Sequence, residues 1–121
     1  MSKREYPRSA RLGELLRQII ADEMERIDDD RLHLVGIAGV EVDGDLFQAH
    51  VFFTSLDLDE ASEHEVLQAF AEHRGRLKRA IGEQTRVRRV PNLDFRPDPS
   101  IEAGERVDSI LREMDLDDES P

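Results

Sequence analysis

Ala38-Gly39-Val40-Glu41-Val42-Asp43-Gly44-Asp45-Leu46-Phe47-Gln48-Ala49-His50-Val51-Phe52-Phe53-Thr54 is the stretch that decides the fold. Ala38, Val40 and Val42 alternate with Gly39, Glu41 and Asp43. Beyond Asp43-Gly44-Asp45, Phe47, Ala49, Val51 and Phe53 alternate with Gln48, His50, Phe52 and Thr54. A period of two sends successive side chains to opposite faces of a strand, and two such runs joined across Asp-Gly form a hairpin. One face is expected to be buried and the other partly wet.

Working outward, the pattern changes period on both sides. Upstream, Leu12, Leu15, Leu16, Ile19, Ile20, Met24 and Ile27 make a continuous helical stripe, with Ser9 as its N-cap and Asp28-Asp29-Asp30 as its end. Downstream, Asp57, Asp59 and Glu60 lead into a second helix, where Ser62 and Glu65 have capping-box spacing and Val66, Leu67, Phe70 and Ala71 line one face. Gly75 is expected to interrupt this helix. A further helical stretch carries Leu77, Ala80, Ile81 and Gln84 on one side and runs to about Arg86. Pro91 opens a third strand with Leu93 and Phe95 inward and Asn92, Asp94 and Arg96 outward, then a turn at residues 97–100. A last helix carries Val107, Ile110, Leu111 and Met114. Residues 1–8 read as a flexible basic arm, 9–114 as a single domain, and 115–121 as an acidic disordered tail. This order of elements makes an α+β domain, a three-stranded sheet with helices packed on one face.

Charge is distributed unevenly along this framework. Residues 74–89 hold Arg74, Arg76, Lys78, Arg79, Arg86, Arg88 and Arg89 against one acid, Glu83. That is +6 in a chain whose net charge is −11, which leaves −17 for the remainder. Such local sorting is the electrostatic footprint of a surface that meets phosphate. On a helical wheel Arg76, Arg79, Glu83 and Arg86 fall beside the packing stripe, so the cations need not enter the core. Gly75, between two arginines, would let the backbone bend and approach a sugar-phosphate chain.

Other chemistries find no foothold. Without cysteine there is no disulfide framework, thiolate metal site or cysteine nucleophile. His33, His50, His64 and His73 have no metal-ligand spacing, with His50 a cross-strand polar residue and His64 in the first turn of its helix. No phosphate-binding glycine loop or nucleophile elbow is present. No enzymatic activity and no cofactor or metal are expected. Gly36-Ile37-Ala38-Gly39 mimics the nucleotide-clamping GxxG, but it precedes a strand and reads instead as a bulge or a close approach of the first helix to the sheet. With one Tyr and five Phe, most at core positions, no aromatic stacking platform is expected. No apolar run approaches the ~20 residues of a membrane span. A cytoplasmic protein is expected.

Several strings together resemble the ribosome-binding factor A family, bacterial small-subunit assembly factors. They are Arg8-Ser9-Ala10-Arg11, then Ala49-His50-Val51-Phe52-Phe53-Thr54-Ser55 closing the hairpin, and Gly75-Arg76-Leu77-Lys78-Arg79-Ala80-Ile81-Gly82. After them come Arg86-Val87-Arg88-Arg89-Val90-Pro91-Asn92-Leu93-Asp94-Phe95, Asp98-Pro99-Ser100 and Gly104-Glu105-Arg106-Val107-Asp108-Ser109-Ile110-Leu111. The resemblance spans residues 4–114. It implies a type II KH-like domain in which a helix–kink–helix, often with Ala-x-Gly at the kink, replaces the GxxG loop. His73-Arg74-Gly75 stands at that place, with histidine where alanine is usual and its imidazole turned outward toward RNA or solvent. The resemblance also implies a monomer that binds the free or immature small ribosomal subunit and its 16S rRNA, assisting late maturation without catalysis. RNA contacts are then expected from Arg74, Gly75, Arg76, Lys78, Arg79, Arg86, Arg88 and Arg89, with Lys3, Arg4, Arg8 and Arg11 from the N-terminal end. The competing reading is a non-enzymatic adaptor that docks an acidic partner on the same basic face.

Overall fold

The computed structural model describes residues 8–55 and 60–99. Helix α1, Arg8–Met24, leads through a short 3-10 turn, Asp30–Leu32, into strands β1, Val35–Val42, and β2, Gln48–Ser55. Helix α2, Glu60–Gln84, then crosses to strand β3, Asn92–Pro97. The sheet order is β1-β2-β3, with β1 antiparallel to β2 and β3 parallel to it. A parallel pair requires a long crossover, and α2 is that crossover. Both helices cover one face of the sheet, α1 over β1 and α2 over β3. The three-stranded α+β architecture matches the expectation. The last helix and the acidic tail lie outside the described residues.

The core forms where the two periodicities meet. Ala49, Val51 and Phe53 from β2 and Leu93 and Phe95 from β3 are buried against Leu16, Ile19 and Ile20 of α1 and Phe70, Leu77 and Ile81 of α2. Phe70 sits between two strand rings, 4.3 Å from Phe95 in a stacked pair and 5.3 Å from Phe53. Such pairs contribute about 0.5–1.5 kcal/mol beyond their buried area.

β1 departs from simple alternation. Its register to β2 shifts between Ile37 and Gly39, a bulge that leaves Ala38 exposed. The extra residue reconciles two parities, so that Val35, Ile37, Val40 and Val42 all pack on the core. Ala38, expected inward, faces out for that reason. The bulge anticipated in the Gly36–Gly39 string is present, but the close approach of helix to sheet is made elsewhere. It falls at Gly13, which is buried on α1, and a Cβ built there would lie 2.5 Å from the Val40 carbonyl oxygen.

Other expectations change in detail. Ser9 lies inside α1 and Ser62 inside α2, so neither is an N-cap. α1 ends at Met24, and Ile27 reaches the core from the turn beyond it. Leu15 and Ala71 face solvent, whereas Ala69 is buried. The hairpin closes with the Asp43 N–H donating to the Gln48 carbonyl, so the loop is residues 44–47 and Phe47 stands outside the ladder. The left-handed residue of this loop is Leu46, with φ 66°, while Gly44 keeps a negative φ.

The main correction concerns Gly75. α2 runs 25 residues without a break, and among the described residues no glycine takes a positive φ. Gly75 is on the solvent side, with nothing near its missing Cβ. A mid-helix glycine costs about 1 kcal/mol relative to alanine. Buried Val66, Ala69 and Phe70 before it and Leu77, Ala80 and Ile81 after it hold one helix against the same sheet and outweigh that cost.

Candidate nucleic-acid interface

The seven cations of residues 74–89 separate in space into three groups. Arg74 and Arg76 flank the packing stripe of α2 and make contacts within the fold, Arg76 while remaining exposed. The Arg74 guanidinium carbon lies 5.6 Å from the Phe95 ring centroid. Arg76 donates from Nε to Glu23 at 2.7 Å and from Nη2 to the Arg26 carbonyl at 3.3 Å, tying α2 to the end of α1. Lys78 and Arg79 are on the outer side of α2 without an ion pair among the described residues, and Gly75 exposes only backbone beside them.

Arg86, Arg88 and Arg89 form the third group. α2 stops at Gln84, so Arg86 does not share a helical face with Arg79 as the wheel implied. Thr85 ends the helix: its hydroxyl donates to the Ile81 carbonyl at 2.8 Å and accepts from the Val87 N–H at 3.4 Å. Val90 and Pro91 then turn inward, and Arg86, Arg88 and Arg89 are left exposed. The same fold brings Arg8, at the start of α1, to this loop. Arg8, Arg86, Arg88 and Arg89 line one cleft with Leu12, Val87 and the hairpin residues Asp45, Leu46 and Phe47. Arg11 is exposed nearby but does not line it, and Lys3 and Arg4 lie outside the described residues.

Among the described residues, four guanidinium groups in one cleft face a single carboxylate, Asp45, whose Oδ1 already accepts the Phe47 N–H at 3.0 Å. None of the four arginines forms an ion pair among the described residues. Unpaired arginines with their planar donor forks suit phosphate oxygens, which they can meet bidentately. Arg89 also lies over the Phe47 ring, 5.2 Å from its centroid. Phe47 is 56% exposed, and the sequence pattern misplaced it on the buried face. The missing signal was loop length: a two-residue turn would have kept Phe47 in the ladder, and the four-residue loop releases it.

His73 corrects another expectation. Its imidazole turns inward, with Nε2 2.8 Å from Asp29 Oδ2. Arg31 grips the same carboxylate at 2.7 and 3.0 Å and reaches Glu72 of α2 at 2.6 Å. Hydrogen bonds from Arg31 and then His73 hold the Asp29 carboxyl well below the usual carboxylate range. This network clamps α2 to the 3-10 turn and turns the His73 imidazole toward Asp29. On the wet face of the sheet His50 bridges Asp43 and Asp94 at 3.2 Å each, the cross-strand role expected for it. Asp28, Asp30 and His33 bring ligand atoms within 4.8 Å of one another, but all three are exposed and nothing else at this turn points to an ion. Among the described residues no helix is long and apolar enough to cross a membrane.

Comparison with known proteins finds relatives over most of the chain. The family model described as Ribosome-binding factor A matches residues 8–111. The Rubrobacter xylanophilus protein named ribosome-binding factor A is 39% identical over 115 residues, covering 92% of this chain and 90% of that protein. The crystal structure of ribosome-binding factor A from Thermus thermophilus superposes with a TM-score of 0.67 at 28% identity, covering 74% of this chain and 93% of that one. A Thermus thermophilus ribosome-binding factor A homology model, fitted into a cryo-electron microscopy map of a 30S complex, gives a TM-score of 0.61 at 28% identity, covering 73% and 92%.

Proposed function

Because this chain belongs to the ribosome-binding factor A family, we propose that it is a small-subunit assembly factor that uses the arginine cleft to hold ribosomal RNA. The observation that supports this reading best is the convergence of Arg8 with Arg86, Arg88 and Arg89, drawn from opposite ends of the domain and unpaired among the described residues. The Thermus relative fitted into the map of its 30S complex supports the small subunit as the partner. The protein binds free or immature subunits, contacts 16S rRNA phosphates and assists late maturation of that RNA as a cytoplasmic monomer without chemistry of its own. Lys78, Arg79 and Arg11 extend the contact along α2 and α1, and Lys3 and Arg4, which precede Arg8 in the sequence, add basic charge. Arg74, Arg76 and His73 serve the fold. The domain, expected from residue 9, takes in Arg8 as the first residue of α1 and runs to 114, with 115–121 an acidic tail that discourages non-specific attraction to polyanions.

The test is co-sedimentation with isolated small subunits for the wild type and for the combined Arg86→Gln, Arg88→Gln, Arg89→Gln variant. The variant should fold normally, since these side chains are exposed. It should bind weakly and lose about two to three units from the slope of log K against log salt, at roughly 0.7–0.9 per phosphate contact. Undiminished binding by the folded variant would refute the cleft as the RNA surface. Binding that follows an acidic protein and ignores naked ribosomal RNA would favour the adaptor reading.

A further inference from the structure

Phe47 is held in an unusual way for an exposed ring. Its N–H donates to Asp45 Oδ1 at 3.0 Å, and its carbonyl accepts from the Asn92 N–H at 2.9 Å, so its backbone is fixed from both sides. Leu46 before it occupies the left-handed region at φ 66°, which is uncommon for a residue other than Gly, Asn or Asp. Strained backbone of this kind persists where the surroundings over-determine it, and it clusters at binding sites. The ring that results is more than half exposed, with a guanidinium over one face and more arginines beside it.

We propose that Phe47 is the stacking site for one unpaired nucleobase of a single-stranded RNA segment, whose flanking phosphates are held by Arg8, Arg86 and Arg88. This rests on the RNA-binding reading above and adds a specific subsite to it. Arg89 covers one face of the ring, and the open face takes the base, giving a layered stack of guanidinium, phenyl and nucleobase. Every base has a π-face, so the subsite selects single-stranded over double-stranded RNA and tolerates sequence. A duplex keeps its bases stacked inside and cannot offer one. A peptide is less suited, because the ring is surrounded by cations and its apolar neighbours Leu12, Leu46 and Val87 are themselves half-buried.

The probe is a ten-nucleotide single-stranded RNA carrying one central 2-aminopurine, compared with the same strand abasic at that position, alongside isolated small subunits. Wild-type protein should quench the 2-aminopurine and bind the abasic strand more weakly. Phe47→Ala should abolish quenching and weaken binding to the oligonucleotide and to subunits by roughly 5- to 150-fold, the range of one base stacked on one ring. The salt slope should stay unchanged, because stacking releases no counterions. Phe47→Tyr should restore binding and Phe47→Leu should not. Arg86→Gln with Arg88→Gln should flatten the salt slope while leaving the bound base quenched. Absent quenching, wild-type affinity in Phe47→Ala, or full rescue by Phe47→Leu would each overturn the stacking site. If only the arginine variants lose affinity, the cleft survives without the stack. If only Phe47 variants lose it, the phosphate reading fails instead. Far-UV circular dichroism identical to wild type confirms that Phe47→Ala is folded, as an exposed ring allows.

Discussion

The same substitution at two helical glycines should move stability in opposite directions. At Gly13 an added Cβ would lie 2.5 Å from the Val40 carbonyl oxygen, 3.5 Å from its carbon and 3.8 Å from Val42 Cγ2. Ordinary carbon–oxygen contact begins near 3.3 Å, so α1 must retreat from β1 by roughly 0.8 Å. The obstacle is backbone of a strand in register with β2, Val40 opposite Val51, so it yields less readily than a flexible side chain would. A gap of 0.5–1 Å forfeits about a quarter to a half of each dispersion contact beneath Leu16 and Ile20. Overpacking costs about 1–3 kcal/mol, and the better helix propensity of alanine returns up to about 1 kcal/mol. With a contact as short as 2.5 Å placing the overpacking at about 2–3 kcal/mol, Gly13→Ala should therefore destabilise by about 1–2 kcal/mol. At Gly75 nothing lies within 4 Å of the added carbon and φ is not positive, so only propensity acts. Gly75→Ala should stabilise by about 1 kcal/mol, with subunit affinity unchanged. Urea unfolding followed by far-UV circular dichroism measures both, and each kcal/mol should shift the melting temperature by about 4 °C or more in a domain of this size. A Gly13→Ala protein as stable as wild type would refute the tight approach of α1 to β1. A destabilised Gly75→Ala protein with reduced RNA binding would bring back a functional break in α2.

Arg76 and Arg79 should also part company. Arg76→Gln loses the pair with Glu23, whose side chain is only 15% exposed, and should cost about 0.5–1 kcal/mol with measurable coupling in a double-mutant cycle with Glu23→Gln. Arg79→Gln should stay within about 0.5 kcal/mol of wild type, and equal costs for the two would contradict their different surroundings. Asp29 sets an acid limit. Its carboxyl is depressed in the folded state, so its stabilisation is present above the unfolded value of about 3.9 and fades as pH falls below it. Asp29→Asn should be less stable than wild type at neutral pH, and the gap should narrow in urea melts at about pH 3. A gap independent of pH would mean that the network with Arg31 and His73 does not stabilise the charged form.

Much of this molecule is written in local pattern. The stripe from Leu12 to Met24, the alternation from Ala49 to Phe53 and the inward pair Leu93 and Phe95 are periodicities of the chain itself, so they determined the helices, the central strands and the α+β class, while the count of Arg and Lys alone gave residues 74–89 their basic character. The family strings were legible for the same reason. What only the tertiary structure decided depends on partners distant in sequence. The break expected at Gly75 was a local argument, and it lost to core contacts on both sides of the glycine. Gly13 looks like any helical glycine until β1 is laid against it. Arg76 and His73 became structural because Glu23 and Asp29, more than forty residues away, arrive opposite them. Phe47 left the core because the hairpin closes at Asp43 and Gln48, one register choice that alternation cannot make. The arginine cleft joins Arg8 to Arg86, Arg88 and Arg89 only after α1 and α2 settle side by side on the sheet. Periodicity says which face of an element is apolar, whereas the juxtaposition of charges across elements is set by how those faces pack.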